Sequence, residues 1–162
     1  MKPLFYLLTF TVLFSCNQNP EKTVETPCPE EEKQSMATLK KKLTEKGFPT
    51  FDYVDEATRD TVIMQQYYIA FLRRGENRNQ SKEEADSLQQ LHMAHLGRMY
   101  AEGFADISGP FGDDRDLRGI TIYNVPTLRM ADSLAKLDPM VKAGRLAVEV
   151  KPWWAAKGVS LR

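Results

Sequence analysis

Two residues of this chain, His92 and Asp138, are of types that move protons, and each falls where its side chain can be held in place. His92 lies inside a long helical stretch, and Asp138 opens the run Asp138-Pro139-Met140-Val141-Lys142-Ala143-Gly144. A carboxylate bonded to one imidazole nitrogen fixes the tautomer and raises the basicity of the other nitrogen, which can then take a proton. Such a dyad can remove a proton beside a carbonyl or a halide without a metal. On the residues alone each also has a plainer role. His92 can be a packed core histidine with its hydrogen bonds satisfied. Asp138 can be the N-cap of a short helix whose first position is Pro139. The cap role accounts for Asp-Pro without catalysis, and the two roles do not exclude each other.

Other polar and aromatic groups carry weaker signals. His95, one turn from His92, raises a metal site, but two histidines need carboxylates such as Glu102 or Asp106 to complete one. With no CxxC, HExxH or third histidine, no metal and no cofactor are expected. Asp113, Asp114 and Asp116 read as a solvated turn, since the glutamate that closes a calcium loop is missing. Trp153-Trp154 can stack a ligand, although aromatic pairs at a strand end more often seal a core or a dimer seam.

The elements that must position these groups follow from periodicity and caps. Residues 61–72 are β-rich with few charges and read as a central strand. Ser81-Lys82-Glu83-Glu84 matches a capping box, and the helix it opens runs to Ala101-Glu102 with Gly103 just past its end. Its apolar stripe is Ala85, Leu88, Leu91 or His92, His95, Leu96 and Met99. Residues 104–108 form a short strand ended by Gly109-Pro110, and a glycine- and aspartate-rich loop leads into the alternating strand 118–125. Thr127 caps a second helix with the stripe Met130, Ala131, Leu134 and Leu137. It breaks at Asp138, because a residue before proline is pushed out of the α region. The last strand, 145–151, leads to Pro152-Trp153-Trp154. The order β-α-β-β-α-β is that of an α+β, ferredoxin-like antiparallel sheet with two helices on one face. Its open face is apolar, so a homodimer is expected.

The opposite end of the chain carries an address. Met1-Lys2 and the apolar run Leu4 to Phe14 precede Leu13-Phe14-Ser15-Cys16, and a core of about 7–15 apolar residues suits an exported signal rather than a spanning helix. A cysteine at that boundary looks like a bacterial lipoprotein signal: residues 1–16 are then a signal ending at lipidated Cys16. Cys28, between Pro27 and Pro29, is the one thiol left, so no intramolecular disulfide is available. Residues 17–35 are Asn, Gln, Pro, Glu, Lys and Thr with almost nothing apolar and read as a disordered tether. Residues 36–60 form an N-terminal helix stopped at Gly47 and an irregular aromatic arm, and residues 61–162 form the main domain. The expected location is the bacterial cell envelope, periplasmic or outer-membrane associated, with the membrane engaged through the lipid alone. Twenty-two basic against 22 acidic residues give zero net charge, and no basic patch with interleaved aromatics argues for nucleic acid.

Over residues 62–154 the chain resembles the YCII-related (YciI-like) family. The resemblance rests on the histidine within His92-Met93-Ala94-His95-Leu96, on Ala101-Glu102-Gly103, on Gly109-Pro110 and on the Asp138-to-Gly144 run before the final strand. It implies a ferredoxin-like dimer of the dimeric α-β barrel type with a pocket holding a His–Asp pair. Carried over by residue, it makes His92 and Asp138 the catalytic pair, with Ser108 and Gly109 lining the substrate turn. One characterised branch is dehydrochlorinase-like, and fold relatives include lactone isomerases. Two function classes follow. One is a small-molecule lyase or isomerase that uses His92 and Asp138. The other is a non-catalytic lipoprotein that binds a ligand or partner in the same cleft.

Overall fold

The computed structural model describes residues 35–159; the signal segment, Cys16, Cys28 and all but the last residue of the tether lie outside the described residues. Ser35, assigned above to the tether, is instead the N-cap of helix α1 (Met36–Glu45), its hydroxyl accepting from the Thr38 amide.

The arm that follows is not irregular. Thr50–Val54 forms strand β1 and pairs antiparallel with the start of β2 (Thr61–Arg74), from Thr50 opposite Gln65 to Val54 opposite Thr61. The turn between them contains no glycine or proline. The Asp55 carboxylate accepts from the Ala57 and Thr58 amides, and Arg59 takes the left-handed conformation at φ 61°. An arginine in that conformation is uncommon, which is why the hairpin gives no turn signal in sequence.

Helix α2 (Lys82–Ala101) begins at the expected capping box: Ser81 Oγ accepts from the Glu84 amide while the Glu84 carboxylate accepts from the Ser81 amide. Strand β3 (Ala105–Pro110) keeps Gly109 and Pro110 within its ladder instead of ending before them, opposite Ile120 and Gly119 of β4 (Leu117–Tyr123). Proline is tolerated there because β3 lies at the sheet edge. At the Gly119 crossing a Cβ would lie 2.6 Å from the Gly109 carbonyl oxygen, so the two strands can approach only through glycine. Helix α3 (Leu128–Lys136) is capped by Thr127, and the one-turn helix α4 (Pro139–Lys142) by Asp138. Strand β5 (Leu146–Ala156) runs through Pro152 and both tryptophans, further than its sequence suggests.

The sheet is antiparallel, in the order β1-β2-β4-β3, with β5 on the remaining edge of β2. Gln65 faces Thr50 on one side and Ala155 on the other, so β1 and β4 share one edge of the long β2 while β5 covers the opposite edge. This α+β arrangement is consistent with the ferredoxin-like order expected from the chain. One face carries the helices. Tyr68 and Ala70 of β2 and Tyr123 of β4 are buried against Met99 of α2 and Ala131 and Ala135 of α3. Burial of a side chain such as Met99 contributes on the order of 1.5–3 kcal/mol. On the other face Ile69, Phe71, Ile120 and Ile122 are half-buried. Trp153 and Trp154 do not seal a core: both are partly exposed, lying against Tyr67 and Phe51 respectively.

Candidate active site

The stripe of α2 that faces the domain is His92, His95 and Met99, whereas Leu91 is turned to solvent. Two imidazoles therefore occupy helix positions where leucine would be the ordinary choice, and a polar group buried there needs a partner. His92 has one. Helix α4 packs against α2, and its cap residue Asp138, 2% exposed, places Oδ2 2.5 Å from His92 Nδ1. The other carboxylate oxygen, Oδ1, accepts from the Met140 amide at 2.8 Å. Capping and pairing are thus shared between the two oxygens of one carboxylate. The plain role and the chemical role of Asp138 coexist.

The charge state of Asp138 follows from its surroundings. Burial pushes the Asp138 carboxyl up, but the hydrogen bond and charge of His92, the Met140 amide and the charge of His95 outweigh it and hold the carboxyl below its ordinary 3.8. Tyr123 responds in the opposite sense: burial first, then the Asp138 charge, pushes its hydroxyl far up, so it stays neutral. With Asp138 ionised, Nδ1 of His92 carries the proton and donates it to Oδ2. Nε2 is left as the acceptor, and it carries no hydrogen bond among the described residues.

His92 lines a cavity of about 370 Å³, within the range of small-molecule sites. Ser108 and Gly109 of β3 line it too, with Met140 and Leu146 on the side of α4 and β5. Ser108 Oγ is 2.9 Å from Thr121 Oγ1, which holds its hydroxyl toward the sheet. Asp138 does not line the cavity; it stands behind the imidazole. The four residues predicted for the site are thus assembled, three at the wall and one in support.

His95 is not part of this assembly. Its Nδ1 accepts from Arg98 at 3.3 Å, and its Nε2 is buried without a partner. Among the described residues no three His, Cys, Asp or Glu side chains are grouped to hold a metal. The aspartates of the β3–β4 loop are engaged by arginines: Asp113 by Arg115, Asp114 by Arg74 and Arg118, and Asp116 by Arg73.

The YCII-related domain model matches residues 68–154, over half of the 162 residues. The chain belongs to the YCII-related family. Among solved structures this YCII-related chain is similar to 5-chloro-2-hydroxyhydroquinone dehydrochlorinase from Burkholderia phenoliruptrix AC1100, determined in complex with 2,5-dihydroxybenzoquinone. The identity is 24% and the TM-score 0.40, covering 54% of this chain and 92% of that one. No curated protein matches the chain.

Three cavity residues of this YCII-related domain escape a sequence reading altogether. Arg78, from the loop before α2, Arg118 of β4 and Arg145, preceding β5, all line the same cavity. Singly, each reads as a surface arginine near an element end. Nothing in local sequence links the three.

Proposed function

We propose that this chain is a small-molecule lyase or isomerase in which His92 Nε2 abstracts a proton and Asp138 steadies the imidazolium that forms. The reading is carried by one observation: the imidazole at the cavity wall is bonded through Nδ1 to a buried carboxylate, so its free nitrogen is the one available to a ligand. In an isomerisation the proton returns to a different carbon. In an elimination of the dehydrochlorination kind, the electron pair of the broken C–H bond forms a C=C bond as chloride leaves. The alternative, a non-catalytic binder, suits a closed apolar surrounding, and a cavity wall shared with three arginines favours the enzyme.

The proposal includes an address and an assembly. The address is a lipid anchor at Cys16 after signal cleavage, resting on the pattern of residues 1–16. Cys16→Ser is expected to release the protein from membranes, and unchanged membrane association would contradict the anchor. The assembly is a homodimer through the open sheet face, supported by the half-buried Ile69, Phe71, Ile120 and Ile122. Ile122→Asp is expected to weaken self-association at least about tenfold by sedimentation, since a buried charge opposes apolar contact. A wild-type monomer at micromolar concentration would remove the dimer.

The reaction is tested by incubating the protein in D₂O with β-keto acids and halogenated hydroxyquinones and following deuterium entry or chloride release. Turnover by the wild type that is lost in His92→Gln supports the reading. Equal turnover by both proteins overturns it.

A further inference from the structure

Among the described residues, the charged side chains that line the cavity apart from His92 are Arg78, Arg118 and Arg145, and no carboxylate lines it. Their balance with nearby acids is uneven. Arg118 is paired with Asp114, which also serves Arg74. Arg78 and Arg145 have no carboxylate within ion-pair distance among the described residues. Asp138 is committed to His92 and to the Met140 amide.

The three guanidiniums are nonetheless anchored. Arg78 Nη1 donates to the Arg145 carbonyl at 3.2 Å, and Arg145 Nη1 donates to Gln80 Oε1 at 3.0 Å. Arg118 Nη1 donates to Asp114 and to the Arg115 carbonyl. Each side chain is tied through one Nη1, and a guanidinium has five N–H donors in a planar fork. The remaining donors carry no hydrogen bond among the described residues while the fork itself is held, which lowers the ordering cost of binding. The arrangement leaves like charges facing one another. Burial first, then the charges of Arg145, Arg74 and Arg118, holds the Arg78 guanidinium below its ordinary range, with Asp114 opposing. An anion placed among them would relieve that repulsion.

We propose that this cavity binds a small oxyanion, a carboxylate or phosphate head group gripped by Arg78, Arg118 and Arg145, so that the substrate is an acid carried as its anion. The inference rests on taking the cavity beside His92 as the reaction site, and it adds the class of molecule that enters. A bidentate guanidinium–oxyanion contact would fix the head group, and a volume of about 370 Å³ then leaves room for a small carbon skeleton against Met140 and Leu146. A head group held in this way also acidifies nothing by itself: its role is to place a carbon–hydrogen bond of the substrate at Nε2, leaving the proton transfer to His92.

The test is a titration of the full chain with malonate, its neutral counterpart malonamide and inorganic phosphate, at fixed low ionic strength, read on the amide resonances of Gly109 and Gly119. Saturable binding of malonate or phosphate without binding of malonamide is expected; which of the two binds tells a carboxylate head group from a phosphate. Arg118→Gln with Arg145→Gln should weaken that binding at least about tenfold. Arg78→Gln, in the exposed loop, serves as a second variant should the double change disturb the fold, with at least about threefold weakening expected. Equal binding of malonamide, absence of anion binding, or unchanged affinity in the arginine variants overturns the proposal. Asp138→Asn separates the two readings. Anion binding that survives there while turnover is lost leaves the arginine site standing with the dyad. Turnover that survives alongside anion binding removes the dyad alone.

Discussion

His92 and His95 lie one turn apart on the same helix, both nearly buried, yet the domain has made opposite species of them. His92 donates through Nδ1 to Asp138 and keeps Nε2 as a lone pair at a cavity wall. His95 accepts through Nδ1 from Arg98, so its proton sits on Nε2, which is buried and unpartnered. Burial pushes the His95 imidazole below its ordinary 6.5; Asp138 opposes this, and the charges of Arg98, His92 and Lys142 reinforce it. Burial, reinforced by neighbouring cations, thus favours the neutral form of His95. A buried carboxylate on Nδ1 instead leaves the other ring nitrogen of His92 free to accept at the cavity wall. The identity of the partner decides the chemistry, not the depth of the residue.

The largest test of that contrast is activity. His92→Gln and Asp138→Asn should each lower turnover by about 10²–10⁴-fold, the usual contribution of a positioned acid–base group. His95→Gln should lower it by less than roughly tenfold, because that ring does not line the cavity. A large loss in His95→Gln with none in His92→Gln, measured on the same substrate, would reverse the assignment.

Stability separates the two roles of Asp138. Asp138→Ala removes both the cap and the His92 partner and should cost about 2–4 kcal/mol in urea unfolding. Asparagine caps a helix about as well as aspartate and can still accept from Nδ1, so Asp138→Asn should cost less than about 1 kcal/mol. Similar losses in the two variants would show that charge, not capping, holds α4 in place.

Acid dependence is a smaller effect with a definite sign. The folded state holds His95 neutral below 6.5, where the unfolded chain takes up a proton. Stability should therefore fall as pH drops below about 6.5, since the unfolded state binds more protons there. The Asp138 contribution has the same sign in a lower window: present above 3.8 and lost as pH falls through its lower folded value. Urea midpoints between pH 7 and pH 5 should slope less in His95→Gln than in the wild type. An unchanged slope would show that His95 does not carry it. The finest measurement is the ring ¹⁵N spectrum, expected to give Nδ1–H for His92 and Nε2–H for His95. The same tautomer in both would erase the comparison.

Much of this architecture was legible because it is local. Ser81 with Glu84, Thr127 with Met130 and Asp138 with Met140 are bonds spanning two or three residues, so residue type and spacing nearly suffice to write them. The strand alternation around Ile120 and Ile122 and the YCII-related pattern were readable for the same reason. The β1 hairpin was not, since its turn turns on Arg59 in a left-handed conformation that its side chain does not advertise. What only the tertiary structure decided lies across long separations. His92 and Asp138 are 46 residues apart, and whether the cap carboxylate also reached the imidazole depended on how α4 packs on α2. Arg78, Arg118 and Arg145 come from a loop, a strand and a helix exit, and each satisfies its local sequence as an ordinary solvated cation. Their convergence on one cavity, with Asp114 beside Arg118 as the one paired carboxylate among the described residues, is a property of the sheet order, because charge balance is set by distance in space and not by position along the chain.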